Sequence, residues 1–231
     1  MKLKFLSFVV AVSVTAISSA ITTAIYDPSA LSVTDTVQWN AYNPDYTQGT
    51  AGYFPFGSNA AYIESVDNGS GLPNGGLLEV RTEGVSWYGE FLPGDGVLYF
   101  LDDTSVTNSV FHIHFDTAVT GFALQTQSNA YGDYATFFGV WDAPYPSGAL
   151  AFGSTTGTNS GTEAGTQGWI GAVSDTAEIS DVYIGVYMAD GSNTYGAGFG
   201  KLLIGEPVPE PASMLAMGAG LAALARRRKK A

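Results

Sequence analysis

The sequence predicts an all-β body, a β-sandwich, held between two apolar ends that each carry basic residues. Three observations predict it. Between residues 25 and 205, apolar and aromatic side chains alternate in short runs. Clusters of Gly, Asn, Asp and Pro separate those runs. No stretch of that interval keeps a helical period. Runs that are apolar on one side only need a second sheet to cover them, and this is the argument for two packed layers.

The first element is the N-terminus. Met1-Lys2-Leu3-Lys4 is cationic, residues 5–17 are apolar apart from Ser and Thr, and Ser18-Ser19-Ala20 are small. This is the layout of a secretory signal peptide over residues 1–24. Cleavage after Ala20 sets Ser18 at −3, and cleavage after Ala24 sets Thr22 there. Residues 39–62 follow, rich in aromatics and broken by Asn43-Pro44 and Phe54-Pro55. They read as an ordered loop lying over the sandwich.

Strands are expected at 77–82, 97–101, 110–115, 120–126, 135–141, 149–152, 168–173, 179–187 and 199–204. In the third, Phe111, Ile113 and Phe115 share one face, with His112, His114 and Asp116 on the other. In the eighth, Val182, Ile184 and Val186 oppose Tyr183, Gly185 and Tyr187. Residues 153–168 are mostly Gly, Thr, Ser and Asn with one Glu, lack apolar anchors, and read as a loop.

The body, residues 25–205, gives way to a composite tail over 206–231. Val208-Pro209-Glu210-Pro211-Ala212-Ser213 comes first. The two prolines fix φ and favour extended geometry in the residues before them. Residues 212–225 carry no charge and suit a helix, about 21 Å long at the usual rise. That is short of a bilayer core of about 30 Å, so a span needs local thinning and snorkelling arginines. Arg226-Arg227-Arg228-Lys229-Lys230, within the basic tail 226–231, would hold that end on the cytoplasmic side.

Charge and composition exclude several classes. The whole chain has nine basic and twenty-one acidic residues, a formal charge of −12. Between residues 25 and 208 two basic residues stand against twenty acidic ones, a formal charge of −18. Such a surface repels nucleic acid and anionic lipid. Cysteine is absent, which excludes disulfides and thiolate metal sites.

The tail resembles the PEP-CTERM sorting signal of Gram-negative bacteria, through Pro209-Glu210-Pro211, the Ala/Leu/Gly/Met segment and the basic stop beginning at Arg226, Arg227 and Arg228. The resemblance implies a membrane-embedded exosortase as partner, cleavage at or near Pro209-Glu210-Pro211, and transient anchoring in the inner membrane. It also implies delivery to the envelope, cell surface or exopolysaccharide matrix. A second resemblance covers residues 110–204. It rests on the strand around Phe111-His112-Ile113-His114-Phe115-Asp116, on Trp169-Ile170-Gly171-Ala172-Val173-Ser174-Asp175, and on Ala177-Glu178-Ile179-Ser180-Asp181-Val182. These look like the ectodomain of many PEP-CTERM proteins, with Phe122-Ala123 where that family shows Phe-Gly. It implies a jelly-roll-like sandwich akin to carbohydrate-binding modules.

Candidate sites are few. His112 and His114, about 6–7 Å apart on one strand face, can chelate zinc or copper if a carboxylate completes the set. The plainer reading is a polar outward face. Asp102, Asp103, Asp175, Glu178, Asp181 and Asp190 fall in expected turns. Of these, Asp102, Asp103, Asp175 and Asp181 are the candidates for a calcium site. Trp87, Tyr88, Trp141 and Tyr145 are candidates for a sugar-stacking platform, set against ordinary core roles. No nucleophile elbow, phosphate-binding Gly loop or His-Glu-x-x-His occurs. The expectation is a non-enzymatic exported surface or matrix protein without a cofactor, associated with exopolysaccharide or biofilm. The alternatives are a carbohydrate-binding module, calcium-dependent or not, and a glycan-active enzyme using two carboxylates that meet in space.

Overall fold

A computed structural model of the chain describes residues 21–42, 48–67, 76–89, 91–101, 109–161, 168–192 and 196–207. It is all-β, with two antiparallel sheets packed face to face. The strands are β1 (Thr22–Ile25), β2 (Leu31–Val37), β3 (Gln48–Gly49), β4 (Ala51–Phe56), β5 (Asn59–Asp67), β6 (Leu77–Thr82), β7 (Gly96–Leu101), β8 (Ser109–Val119), β9 (Gly121–Ser128), β10 (Gly132–Trp141), β11 (Ala149–Asn159), β12 (Gly168–Ser174), β13 (Ile179–Met188) and β14 (Ala197–Pro207). One sheet runs β1-β12-β9-β14-β7-β6-β3, with β2 also on β14, and the other β11-β10-β13-β8-β5-β4.

Each of the nine expected strands forms. The core lies between the sheets and is made by their inward alternation. Phe111, Ile113 and Phe115 of β8, Val182 and Ile184 of β13, and Phe122 and Leu124 of β9 are all buried there. Phe111 stacks on Phe199 of the opposite sheet, ring centroids 4.0 Å apart and planes 16° from parallel. Burying such a side chain stabilises by about 1.5–3 kcal/mol, and without disulfides this core carries the fold.

Two expectations are corrected. Residues 51–62 of the expected 39–62 loop are not loop: β4 and β5 form a hairpin at the edge of the six-stranded sheet. Phe54, Phe56 and Ile63 point inward and are buried. Pro55 misled the reading, yet β4 is an edge strand, where a missing N–H removes no ladder bond. Residues 153–159 are not loop either, because β11 continues through them, paired with β10 as far as Gly132↔Asn159. Glycine there answers to a large neighbour, since a Cβ on Gly157 would come within 2.4 Å of the Tyr134 hydroxyl. Tyr134 is fully buried, and its hydroxyl donates to the Thr126 carbonyl at 2.6 Å.

Strand β14 changes partner along its length. Its residues 197–199 pair with β7 and its residues 202–207 with β2. A break in register falls between Phe199 and Leu202. The buried Trp39, on the short helix α1 (Trp39–Tyr42), closes that gap. Its indole Nε1–H is shared between the carbonyls of Phe199, at 2.8 Å, and Gly200, at 2.6 Å.

Both ends of the body extend past the expected limits. β1 begins at Thr22 and pairs with β12 through Thr22↔Ser174 to Ile25↔Gly171. Thr22 and Ser174 both donate hydroxyl hydrogen bonds to Glu178 Oε1, at 2.5 and 2.6 Å. At the other end β14 runs two residues past 205, with Pro207 opposite Leu31. The expected leader up to residue 20, Pro209-Glu210-Pro211, the 212–225 helix and the basic tail lie outside the described residues. Among the described residues no helix is long and apolar enough to cross a membrane.

Candidate functional site

The site is built from the outward residues of the six-stranded sheet. Register fixes which ones share a row. One row across β11, β10, β13, β8 and β5 is Phe152, Gly139, Tyr183, His112 and Glu64. The next is Ala149, Trp141, Asp181, His114 and Tyr62. One half of this face is therefore aromatic and the other polar.

The aromatic half is a cleft of about 510 Å³ over β10, β11 and β13. Trp141 is its centre. Its ring meets Tyr183 at 5.0 Å, Phe152 at 5.3 Å and Tyr145 at 5.7 Å, each edge to face. Phe137 and Tyr187 form a second edge-to-face pair at 5.9 Å along the same cleft. Phe137, Tyr145, Phe152 and Tyr187 are solvent-exposed. The arrangement depends on Gly139, because a Cβ there would lie 2.3 Å from the Trp141 ring and 2.9 Å from Phe152. Tyr145 and Pro146 come from the 142–148 connection, which is closed by Asp142 N–H donating to the Gly148 carbonyl at 3.0 Å.

The polar half is a relay of carboxylates and imidazoles. Asp181 is 1% exposed, and its Oδ1 faces His112 Nε2 at 2.9 Å and His114 Nδ1 at 3.0 Å. Its Oδ2 accepts from the Ser180 hydroxyl at 2.7 Å. The other nitrogen of His112 faces Glu64 Oε1 at 3.3 Å. Burial pushes the Asp181 carboxyl up, but hydrogen bonds from His112, Ser180 and His114 outweigh it and hold the group below the ordinary carboxylate range. Burial, reinforced by the charges of Asp181 and Glu64 and opposed by the Tyr145 N–H, raises the Tyr183 phenol. Burial and then Glu64 raise Tyr62.

The expected site residues separate. Trp141 and Tyr145 meet in the cleft, while Trp87 does not join them. It is buried with Phe91, Val97 and Tyr99 in a cluster of its own, and Arg81 lies 4.3 Å over the Tyr99 ring. Tyr88 is exposed beside that cluster. Asp181 is on a strand rather than in a turn, and its carboxylate is committed to the two histidines. Asp175 is exposed in the β12–β13 turn, and Asp102 and Asp103 lie outside the described residues. His112 is buried rather than part of an open polar face. Among the described residues, no group of three or more His, Asp or Glu side chains is placed to hold a metal ion.

Sequence reasoning missed Phe137, Phe152, Tyr183, Tyr187 and Glu64 as site residues. The signal was alternation: Asp181, Tyr183, Gly185 and Tyr187 occupy the face opposite the buried Val182 and Ile184. What it lacked was the register that sets Trp141 beside Asp181 and Gly139 beside Tyr183.

Comparison with known proteins adds the tail. The model of the PEP-CTERM protein-sorting motif matches residues 207–229, about a tenth of the chain. No curated protein matches the chain, and no solved structure does. The motif implies an exported precursor that is recognised by an exosortase and processed for the cell surface. Its first matched residue, Pro207, is the last residue of β14.

Proposed function

We propose that the sandwich is a non-enzymatic carbohydrate-binding body, displayed on the cell surface or in the extracellular matrix after sorting, and that its site is the Trp141 cleft. One observation carries this: a concave sheet face opens to solvent through exposed aromatic rings rather than being covered. Sugar rings present C–H faces that pack on aromatic faces, and Tyr hydroxyls at the rim serve the sugar hydroxyls. A jelly-roll-like topology of the carbohydrate-binding kind fits this use. The sorting tail supports display outside the cell, and association with exopolysaccharide or biofilm is part of the same proposal. No cofactor is assigned to it.

The test is binding of the purified protein to the host bacterium's extracellular polysaccharide, by affinity electrophoresis or calorimetry. Phe152→Ala and Tyr145→Ala remove exposed rings and should each weaken binding about tenfold, a change of about 1.4 kcal/mol. Melting should stay close to that of the parent. Undiminished binding by both variants would refute the cleft as the site.

A further inference from the structure

The identity of the sugar is narrowed by the charge around the cleft, an inference that rests on the glycan reading above. Outside its two ends the chain has only Arg81 and Lys201 as basic side chains, against twenty acidic ones. Both belong to the eight-stranded sheet and both are engaged: Arg81 with Glu79 at 3.1 Å and Lys201 with Asp95 at 2.9 Å. The strands of the six-stranded sheet contain no lysine or arginine at all. The two imidazoles of that face turn nitrogens to Asp181 and Glu64. A glycan bearing uronate, sulfate or phosphate would find no counter-charge there.

A cation would find two attractions. Aromatic ring faces carry negative quadrupole potential, which draws ammonium groups. Carboxylates flank the cleft without lining it. Asp142 is exposed in the connection that carries Tyr145 and Pro146, where an added Cβ on Gly148 would fall against its Oδ1. Glu64 and Asp181 flank Tyr183 from the polar half, on its own row and the next. The cleft crosses from β11 to β13, two strand spacings or about 10 Å, room for a short stretch of polysaccharide rather than a single small ion.

We infer that the cleft binds a cationic glycan, a polymer with free amino sugars, whose ring faces rest on the exposed Tyr145, Phe152 and Tyr187 and whose ammonium meets Asp142.

The experiment uses the purified full-length chain and three oligosaccharides of equal length: a β-linked glucosamine oligomer, the same oligomer fully N-acetylated, and a uronate oligomer. Calorimetry at about 20 mM salt should give binding of the amine form about three- to fivefold tighter than the acetylated form, the size expected for a solvent-exposed charge pair. The uronate should bind weakest. At about 500 mM salt the gap should close, because screening shortens the reach of the charges. Asp142→Asn should narrow the gap without changing the acetylated oligomer's affinity. Equal or tighter binding of the acetylated or uronate form at low salt would overturn the cationic assignment and leave the glycan reading standing. Amine binding that survives both Phe152→Ala and Tyr145→Ala would be adsorption of a polycation to an acidic surface, and would overturn the two together. Failure of all three oligomers to bind would do the same.

Discussion

Tyr183 lies flat on His112, ring centroids 4.2 Å apart and planes within 6° of parallel. This contact joins the two halves of the outer face. Tyr183 is a wall of the aromatic cleft, and His112 is held edge-on between Glu64 and Asp181. The phenol ring is therefore positioned from below by a charged relay and from the side by Trp141. A sugar resting on Tyr183 would rest on a ring whose tilt is set by hydrogen bonds two strands away.

Asp181 is the residue on which that relay depends. Asp181→Asn keeps the shape but replaces an acceptor of three hydrogen bonds with a neutral amide, leaving the buried imidazole nitrogens poorly matched. The expected loss is about 2–4 kcal/mol of stability, in the range for breaking a buried charged network. Urea unfolding with an unchanged m-value would measure it. A loss under about 0.5 kcal/mol would mean that the relay contributes nothing to the fold.

The same carboxylate sets a pH dependence. Its folded-state pKa lies below the ordinary value of an aspartate. As pH falls, the unfolded chain therefore takes up this proton first, and stability drops. The contribution is complete above the unfolded value and disappears as pH falls through the lower, folded one. Stability measured against pH in this acid range should fall less steeply in Asp181→Asn than in the parent. Asp27 and Asp190, also held low by their hydrogen bonds to Ser29 and Ser192, leave a residual slope in both proteins. Parallel curves would show that Asp181 does not drive the acid limb.

How much of this was legible follows from what alternation can and cannot encode. The inward set on β8 and β13 was readable, because a period of two marks a half-buried strand. Glu64 was not, because β5 was not among the expected strands and its first residues fell in the 39–62 stretch that reads as a loop. The link between Asp181 and the histidines was invisible for another reason: it joins residues 67 and 69 positions apart. Only the β8–β13 register, with its shift between Ile179 and Asp181, brings them together. Trp87 and Trp141 looked equivalent as sequence and are equally buried; only their neighbours, a satellite core for one and the exposed rings of Tyr145 and Phe152 for the other, separate them.

Gly139 is the position where the cleft's shape meets the backbone. Gly139→Ala places a methyl where the Trp141 ring now lies, so the indole must move. Overpacking of this kind costs about 1–3 kcal/mol, and the displaced ring should also lose its edge-to-face contacts with Phe152 and Tyr183. Trp141 fluorescence should shift, and glycan affinity should fall with it. An unshifted spectrum with full binding would show that the ring does not rest on the glycine.

The leader expected from the sequence offers two cleavage points, and the fold favours one of them. Cleavage after Ala24 would remove Thr22, Thr23 and Ala24, three of the four residues of β1. It would strip the pairing to Ser174, Val173 and Ala172, and with it the Thr22 hydroxyl that Glu178 accepts. β12 would then expose a row of unpaired backbone groups, an edge prone to pairing with other chains. Cleavage after Ala20 leaves β1 whole behind a single residue, Ile21. The mature protein is therefore expected to begin at Ile21. N-terminal sequencing or intact-mass analysis of the exported form decides it, and a start at Ile25 would mean that β1 is dispensable to the mature fold. The companion measurement is a melting comparison of recombinant bodies starting at residues 21 and 25. The shorter should melt cooperatively but lower, by the few kcal/mol that three backbone pairings and the Thr22 hydroxyl contact contribute at about 0.5–1.5 kcal/mol per hydrogen bond.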